Sequence, residues 1–176
     1  MRVFVGIPLN QELKSKAVNW QAEHQKLPVR WMQKKNMHIT LVPPWREANI
    51  AQVLRNLAAV KNAITPFSIT FRHIDFGTNP RHPRLIWATG DAPEELTELA
   101  NAVHRALGFS VPDKKPLLHT TIARFRPENF PSFPAKKLDE KADWSMTVDK
   151  IALFESRLSP RGADYVVLGE VPLVRK

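Results

Sequence analysis

Two short tracts of the chain repeat one pattern: Met37-His38-Ile39-Thr40-Leu41 and Leu118-His119-Thr120-Thr121-Ile122, their histidines 81 positions apart (119 − 38). Each sets His-x-Thr between apolar residues, and that alternation constrains the local fold strongly. In a β-strand, residues i and i+2 share a face. His38 and Thr40 therefore point one way, and Ile39 and Leu41 point the other, into a core. His119 and Thr121 likewise share a face, with Thr120 and Ile122 opposite. Two such strands side by side would gather two imidazoles and two hydroxyls around one cleft.

A chain of 176 residues with 43% apolar residues can bury a real core as one domain or as two small lobes sharing it. There is no cysteine, which excludes disulfides, a thiol nucleophile and cysteine-based zinc sites. The apolar start, Val3 to Pro8, is too short for a signal peptide and lacks a small-residue cleavage site. No stretch reaches membrane-spanning length, so the expectation is a soluble cytoplasmic protein. The formal net charge is +9, from 26 Lys and Arg against 17 Asp and Glu. A basic surface concentrates polyanions, which makes nucleic acid the natural partner. Lys34, Lys35 and Arg46 flank the first tract; Lys114, Lys115, Arg124 and Arg126 flank the second.

Periodicity supplies the remaining elements. Arg2 to Ile7 reads as a strand. Asn10 caps a helix to about Lys26, with Leu13, Ala17 and Trp20 on one stripe. Residues 29–33 and 37–42 read as strand, ended by Pro43-Pro44. A second helix covers roughly 48–64, and Phe67 to Phe76 and Arg84 to Thr89 are strands. Asp91 with Glu94 reads as a capping pair for a third helix that ends at Gly108. Strand follows at about 116–125, then an aperiodic Pro/Phe loop from Pro127 to Pro134. Met146 to Glu155 and Tyr165 to Leu173 are the last strands. The irregular mixing of strands and helices favours α+β with antiparallel sheets. The repeat suggests one domain, 1–176, of two related lobes, roughly 1–90 and 91–176, packed as one unit.

An imidazole titrates near neutral pH, with an ordinary pKa of about 6.5. One neutral and one protonated ring across a phosphodiester can act together as base and acid, without a metal. Thr40 and Thr121 would donate hydrogen bonds to the non-bridging oxygens. Arg124 would add positive charge, but its parity matches the His119 face only if the strand bulges or ends there. Trp31, Phe4, Trp45 and Trp87 could stack on bases, with Trp31, between Arg30 and the first tract, as the best-placed platform. His73 and His82 are available for metal, yet neither tract contains an acid and no HExxH motif exists, so acid–base work outranks zinc. His24 and His104 fall on helices and read as surface or boundary residues. GxSxG, phosphate-loop and dinucleotide fingerprints are missing.

The paired tracts, in a short basic chain, resemble the 2H phosphoesterase superfamily. The nearest likeness is to its bacterial and archaeal branch, the RNA 2′,3′-cyclic phosphodiesterases first named 2′-5′ RNA ligases. Arg2 to Ile7 is similar to that family's opening strand, Val29 to Leu41 to its first motif block, and Arg84 to Trp87 to its central strand. Pro116 to Arg124 is similar to its second block, and Leu153 to Leu158 with Gly162, Tyr165 and Leu168 to its closing hairpin. Two departures stand out. Val42-Pro43-Pro44-Trp45 replaces the usual continuation of the first motif, and Leu118 replaces the proline usual before the second histidine.

The resemblance implies a bilobal α+β fold with pseudo-twofold symmetry, its antiparallel sheets lining a central cleft and its helices outside. It implies metal-independent, cofactor-free opening of a terminal 2′,3′-cyclic phosphate on RNA to a 2′-phosphate, with ligation through a 2′-5′ bond as related chemistry. By the same carry-over His38 is the proton donor to the leaving 3′ oxygen and His119 the proton acceptor that activates water. The implied partner is the end of a tRNA-like RNA or an oligonucleotide, and the protein acts as a monomer with no obligatory protein partner. Two alternatives remain open: a module that binds RNA ends or nucleotides with little turnover, and a same-fold phosphodiesterase for small cyclic phosphates or 2′-5′ oligonucleotides.

Overall fold

The computed structural model describes residues 1–175. Its regular elements, in order, are β1 (Arg2–Pro8), α1 (Gln11–Glu23), β2 (Arg30–Trp31), β3 (His38–Arg46), α2 (Ile50–Ala58), β4 (Phe67–Gly77), β5 (Leu85–Gly90), α3 (Glu94–Ala106), β6 (Leu118–Arg124), β7 (Glu140–Val148), β8 (Lys150–Ser159) and β9 (Gly162–Pro172), with short 3₁₀ segments between some of them. Two antiparallel sheets form, ordered β3-β1-β8-β9 and β2-β6-β5-β4-β7. The fold class is α+β, as the sequence indicates.

The first sheet holds His38, and the second holds His119. Apolar residues on the inner faces of both sheets join one core, including Val3, Ile39, Ile86, Ile122 and Leu153, with Leu99 of α3 packed among them. The helices cover that core. Asn10 caps α1 by accepting from the Leu13 amide, and Leu13, Ala17 and Trp20 are buried as the stripe predicts. α1 is tied to the second sheet through Trp20 Nε1, which donates to Glu140 of β7 at 2.6 Å. Gly108 closes α3 with φ +74°, the left-handed conformation that glycine adopts without a Cβ penalty.

Several expectations need correction. The sheets do not divide at residue 90: β4 and β5 belong with His119, whereas β8 and β9 return to the His38 sheet. The lobes are therefore interleaved along the chain rather than split into 1–90 and 91–176. Strand order depends on non-local pairing, which local periodicity does not report. Pro43-Pro44 does not end β3, which runs on to Arg46. β3 is an edge strand, and its register against β1 shifts between Val5↔Val42 and Val3↔Trp45, so the two prolines sit where their missing amides cost no ladder bond. α3 begins after Pro93 with no side-chain cap, so Asp91 does not cap it. The single strand expected from Met146 is two: β7 ends at Val148, β8 starts at Lys150, and the chain changes sheet at Asp149. The Pro/Phe loop contains a 3₁₀ segment, Pro127–Ser132.

Candidate active site

The alternation in both tracts produces the expected faces. Ile39, Leu41, Thr120 and Ile122 are buried, and His38, Thr40, His119 and Thr121 are half-buried on the opposite faces. The strands meet directly, because the Thr120 hydroxyl donates to the His38 carbonyl at 3.0 Å. The x residue of the second tract thus pins the two sheets together beneath the site.

Backbone carbonyls fix the tautomers of both rings. His38 Nδ1 lies 2.6 Å from the Asn36 carbonyl, and His119 Nδ1 lies 3.0 Å from the Leu117 carbonyl. A carbonyl can only accept, so Nδ1 carries the proton in each neutral ring and Nε2 keeps its lone pair. In both tracts the carbonyl belongs to the residue two before the histidine. Thr40 Oγ1 lies 3.1 Å from His38 Nε2 and donates to it while the ring is neutral.

The surroundings differ. Phe4, Phe154 and Tyr165 pack around the His38 ring at centroid distances of 4.7, 5.7 and 5.2 Å. Burial lowers the His38 pKa from 6.5 to about 4; the Asn36 carbonyl opposes the shift, and positive charge on His119 and Arg124 adds to it. His119 lies beside Trp87, with ring centroids 5.3 Å apart. Its pKa is also lowered, first by burial and then, against the Leu117 hydrogen bond, by Arg124.

A cleft of about 600 Å³ is lined by His38, Thr40, Arg124, Arg30, Phe4 and Tyr165, among others. Arg124 reaches it through a bulge. Ile86 pairs with Ala123 but Trp87 pairs with Thr121, so Ile122 is an extra residue in β6. Ile122 and Ala123 are consecutively buried, and the parity of Arg124 is reset. Partial burial, then Arg84 and Arg30 alongside, hold its guanidinium below the usual range, against a raising effect of Tyr165. Trp31 pairs with Ala123 and lines a smaller recess next to Arg30, Arg124 and Tyr165. Phe4 is 2% exposed and cannot serve as an open platform. Trp45 lies away from the cleft against Phe109. His104 is buried rather than at the surface, its Nδ1 donating to the Ala100 carbonyl at 2.8 Å. Among the described residues no three His, Cys, Asp or Glu side chains gather where they could hold a metal ion, and no helix is long and apolar enough to cross a membrane.

Sequence reasoning missed the residues that hold this geometry. Buried Asn36 donates from Nδ2 to the Ala163 carbonyl at 2.9 Å and accepts from the Tyr165 amide at 3.1 Å. It therefore ties β9 to the start of β3 and seats Tyr165 against His38. Gln21 Nε2 donates to the carbonyls of Met32 and Ile122, fixing the bulged end of β6 from α1. Gly6 lies opposite Thr40, where a Cβ would come within 3.3 Å of the His38 ring and 2.7 Å of a backbone oxygen. A polar residue two before a motif histidine was the available signal for Asn36.

The family model described as the 2′-5′ RNA ligase superfamily matches residues 11–159. A protein named RNA 2′,3′-cyclic phosphodiesterase from Archaeoglobus fulgidus is 30% identical, the match covering 94% of this chain and 96% of that one. One of the same name from Aquifex aeolicus is 30% identical over 97% and 96% of the two chains. Among solved structures, TT0787 of Thermus thermophilus superposes with a TM-score of 0.77 at 23% identity over 98% of each chain. The E. coli LigT complex with 3′-AMP gives 0.74 at 22% identity over 99% and 98%. These likenesses establish a shared fold.

Proposed function

This chain belongs to the 2′-5′ RNA ligase superfamily, and on that premise we propose that it hydrolyses a terminal 2′,3′-cyclic phosphate on RNA to a 2′-phosphate by paired-histidine acid–base catalysis. The relatives named RNA 2′,3′-cyclic phosphodiesterase support the activity. The observation that carries the mechanism is the matched wiring of the rings: each Nδ1–H is held by the carbonyl two residues back, leaving Nε2 for proton transfer.

In this reading water attacks phosphorus and gives its proton to His119 Nε2. The P–O3′ bond breaks, its electron pair stays on O3′, and His38 Nε2–H supplies the proton. The product carries a 2′-phosphate and a free 3′-hydroxyl. Thr40, Thr121 and Arg124 stabilise the charge that builds on the non-bridging oxygens, and Trp31 flanks the terminal base. The phosphodiester anion favours the imidazolium that burial disfavours. Protonation of His38 also turns Nε2 into a donor, which frees the Thr40 hydroxyl proton for the phosphate. With a 5′-hydroxyl in place of water, the same step would join RNA ends through a 2′-5′ bond.

The electrostatics also favour a second reading with the roles exchanged. His38 is the ring pushed furthest toward neutrality, to about 4, and the charge of His119 contributes to that push. This suits His38 as base and His119 as acid. A substrate with sulfur in place of O3′ distinguishes the two, because a thiolate leaves without protonation. The variant lacking the acid regains rate on that substrate, and the variant lacking the base does not. The activity itself is tested by turnover of an oligonucleotide 2′,3′-cyclic phosphate in EDTA; no product, or a requirement for added metal, would refute the proposal. We also take 1–176 as a single monomeric folding unit, which calls for one cooperative unfolding transition and a monomer by light scattering.

A further inference from the structure

Beside the cleft lies a groove of about 520 Å³ lined by Arg30, Arg84, Arg124, Phe125, Arg126 and Asn129, with two prolines. Arg30 and Arg124 line both, so the groove opens from the wall of the cleft. The backbones that carry these arginines are locked together. Arg30 of β2 faces Arg124 of β6 in register, Leu85 faces Arg124 from the other side, and the Phe125 amide donates to the Arg84 carbonyl at 3.0 Å.

Like charges facing each other across a ladder destabilise it. Two arginines elsewhere are paired with acids, Arg72 with Asp143 and Arg157 with Glu155. Among the described residues, Arg30, Arg84, Arg124 and Arg126 form no ion pair with a carboxylate. Four unneutralised guanidiniums on a rigid frame fit a row of anions, and their planar forks match phosphate. Half-buried Phe125 between them offers a ring of the kind on which bases of single strands stack. A nucleotide ending in a 2′,3′-cyclic phosphate continues only toward its 5′ side, so any further phosphates must leave the cleft along one direction.

The geometry points to this groove as the track for the single-stranded RNA leading 5′-ward from the reacting nucleotide, with Arg84 and Arg126 gripping its phosphates and selecting oligonucleotides over mononucleotides. The inference rests on the reading of the cleft as a site for RNA ends. Neither Arg84 nor Arg126 lines the cleft.

The test compares R84Q and R126Q with the unaltered protein on a mononucleotide 2′,3′-cyclic phosphate and on a pentanucleotide bearing the same end. Each variant should lose about tenfold in kcat/KM on the pentanucleotide and stay within about twofold on the mononucleotide. A second readout needs no turnover: anisotropy of a labelled, 3′-phosphorylated single strand titrated over a range of salt. Each lost phosphate contact should flatten the slope of log K against log salt by about 0.7. Equal losses on both substrates, or slopes unchanged in both variants, would overturn the groove assignment. Absence of turnover by the unaltered protein, with the salt slopes still reduced in the variants, would sink the hydrolase reading and leave the groove standing.

Discussion

β3 and β6 present the same His-x-Thr device in contrasting surroundings. In β3 the ring lies on an aromatic bed of Phe4, Phe154 and Tyr165, clasped by the β9 hairpin through Asn36. In β6 the ring sits beside one tryptophan and near an arginine cluster, on a strand whose far end bulges. The Nδ1 hydrogen bonding is the same in both, held by the carbonyl two residues back, while Nε2 of His38 also meets Thr40. The surroundings therefore set how hard each ring is to protonate, and His38 is driven further from its ordinary value than a pattern shared with His119 would suggest.

The largest expected effect is on the rings themselves. His38→Ala and His119→Ala should each reduce kcat on a cyclic-phosphate oligonucleotide by roughly 10²–10⁴-fold; undiminished turnover in either removes that ring from the chemistry. Thr40→Val and Thr121→Val should each cost on the order of 10²-fold if both hydroxyls stabilise the phosphorus-centred charge. Thr40→Val should also move the acidic limb of the pH–rate profile, since Thr40 bonds His38 Nε2. Matching shifts in both threonine variants would erase the difference between the tracts.

The stability of the fold should carry the His38 signature. The unfolded ring takes up a proton near pH 6.5 but the folded ring only near 4. Between those values the unfolded state binds more protons, so stability falls as pH drops through that window. The loss attributable to this ring is about 3 kcal/mol. Urea unfolding at pH 7 and pH 4.5 should show a smaller loss in His38→Asn; the same loss as in the unaltered protein would mean the ring is not held neutral by its bed.

Smaller effects separate the two clasps. Asn36→Ala leaves the Ala163 carbonyl and Tyr165 amide without their partner and should cost about 1–3 kcal/mol. Amide exchange at Tyr165 should quicken, with little change at His119. Thr120→Val removes one hydrogen bond at the seam between the sheets and should cost about 1 kcal/mol. Faster exchange in both tracts after Asn36→Ala would make the clasp a property of the whole seam.

Much of this was legible in the chain. Period-2 alternation placed Ile39, Leu41, Thr120 and Ile122 inward because side-chain direction in a strand follows from backbone geometry alone. The helix stripes and the Asn10 cap were readable for the same reason: each depends on residues a few positions apart. Arg124 was legible only as a conditional, since its face depends on a bulge that pairing with β5 creates. β7 was obscured by its polar start, Glu140 to Asp143, and by an apparent continuity with β8 that ends where the chain changes sheet. The role of Asn36 was hidden because its partners, Ala163 and Tyr165, lie more than a hundred positions away.

The sequence by itself determined which side chains share a face: a histidine and a threonine on one side of each tract, aliphatic residues on the other. The tertiary structure alone decided which strands adjoin, that β8 and β9 return to enclose His38, and that four arginines line one groove whose lining holds no acid. The physical reason is one of range. Side-chain direction is fixed within a few bonds of the backbone, whereas burial, register and the pKa of a ring are set by neighbours that only folding brings into contact.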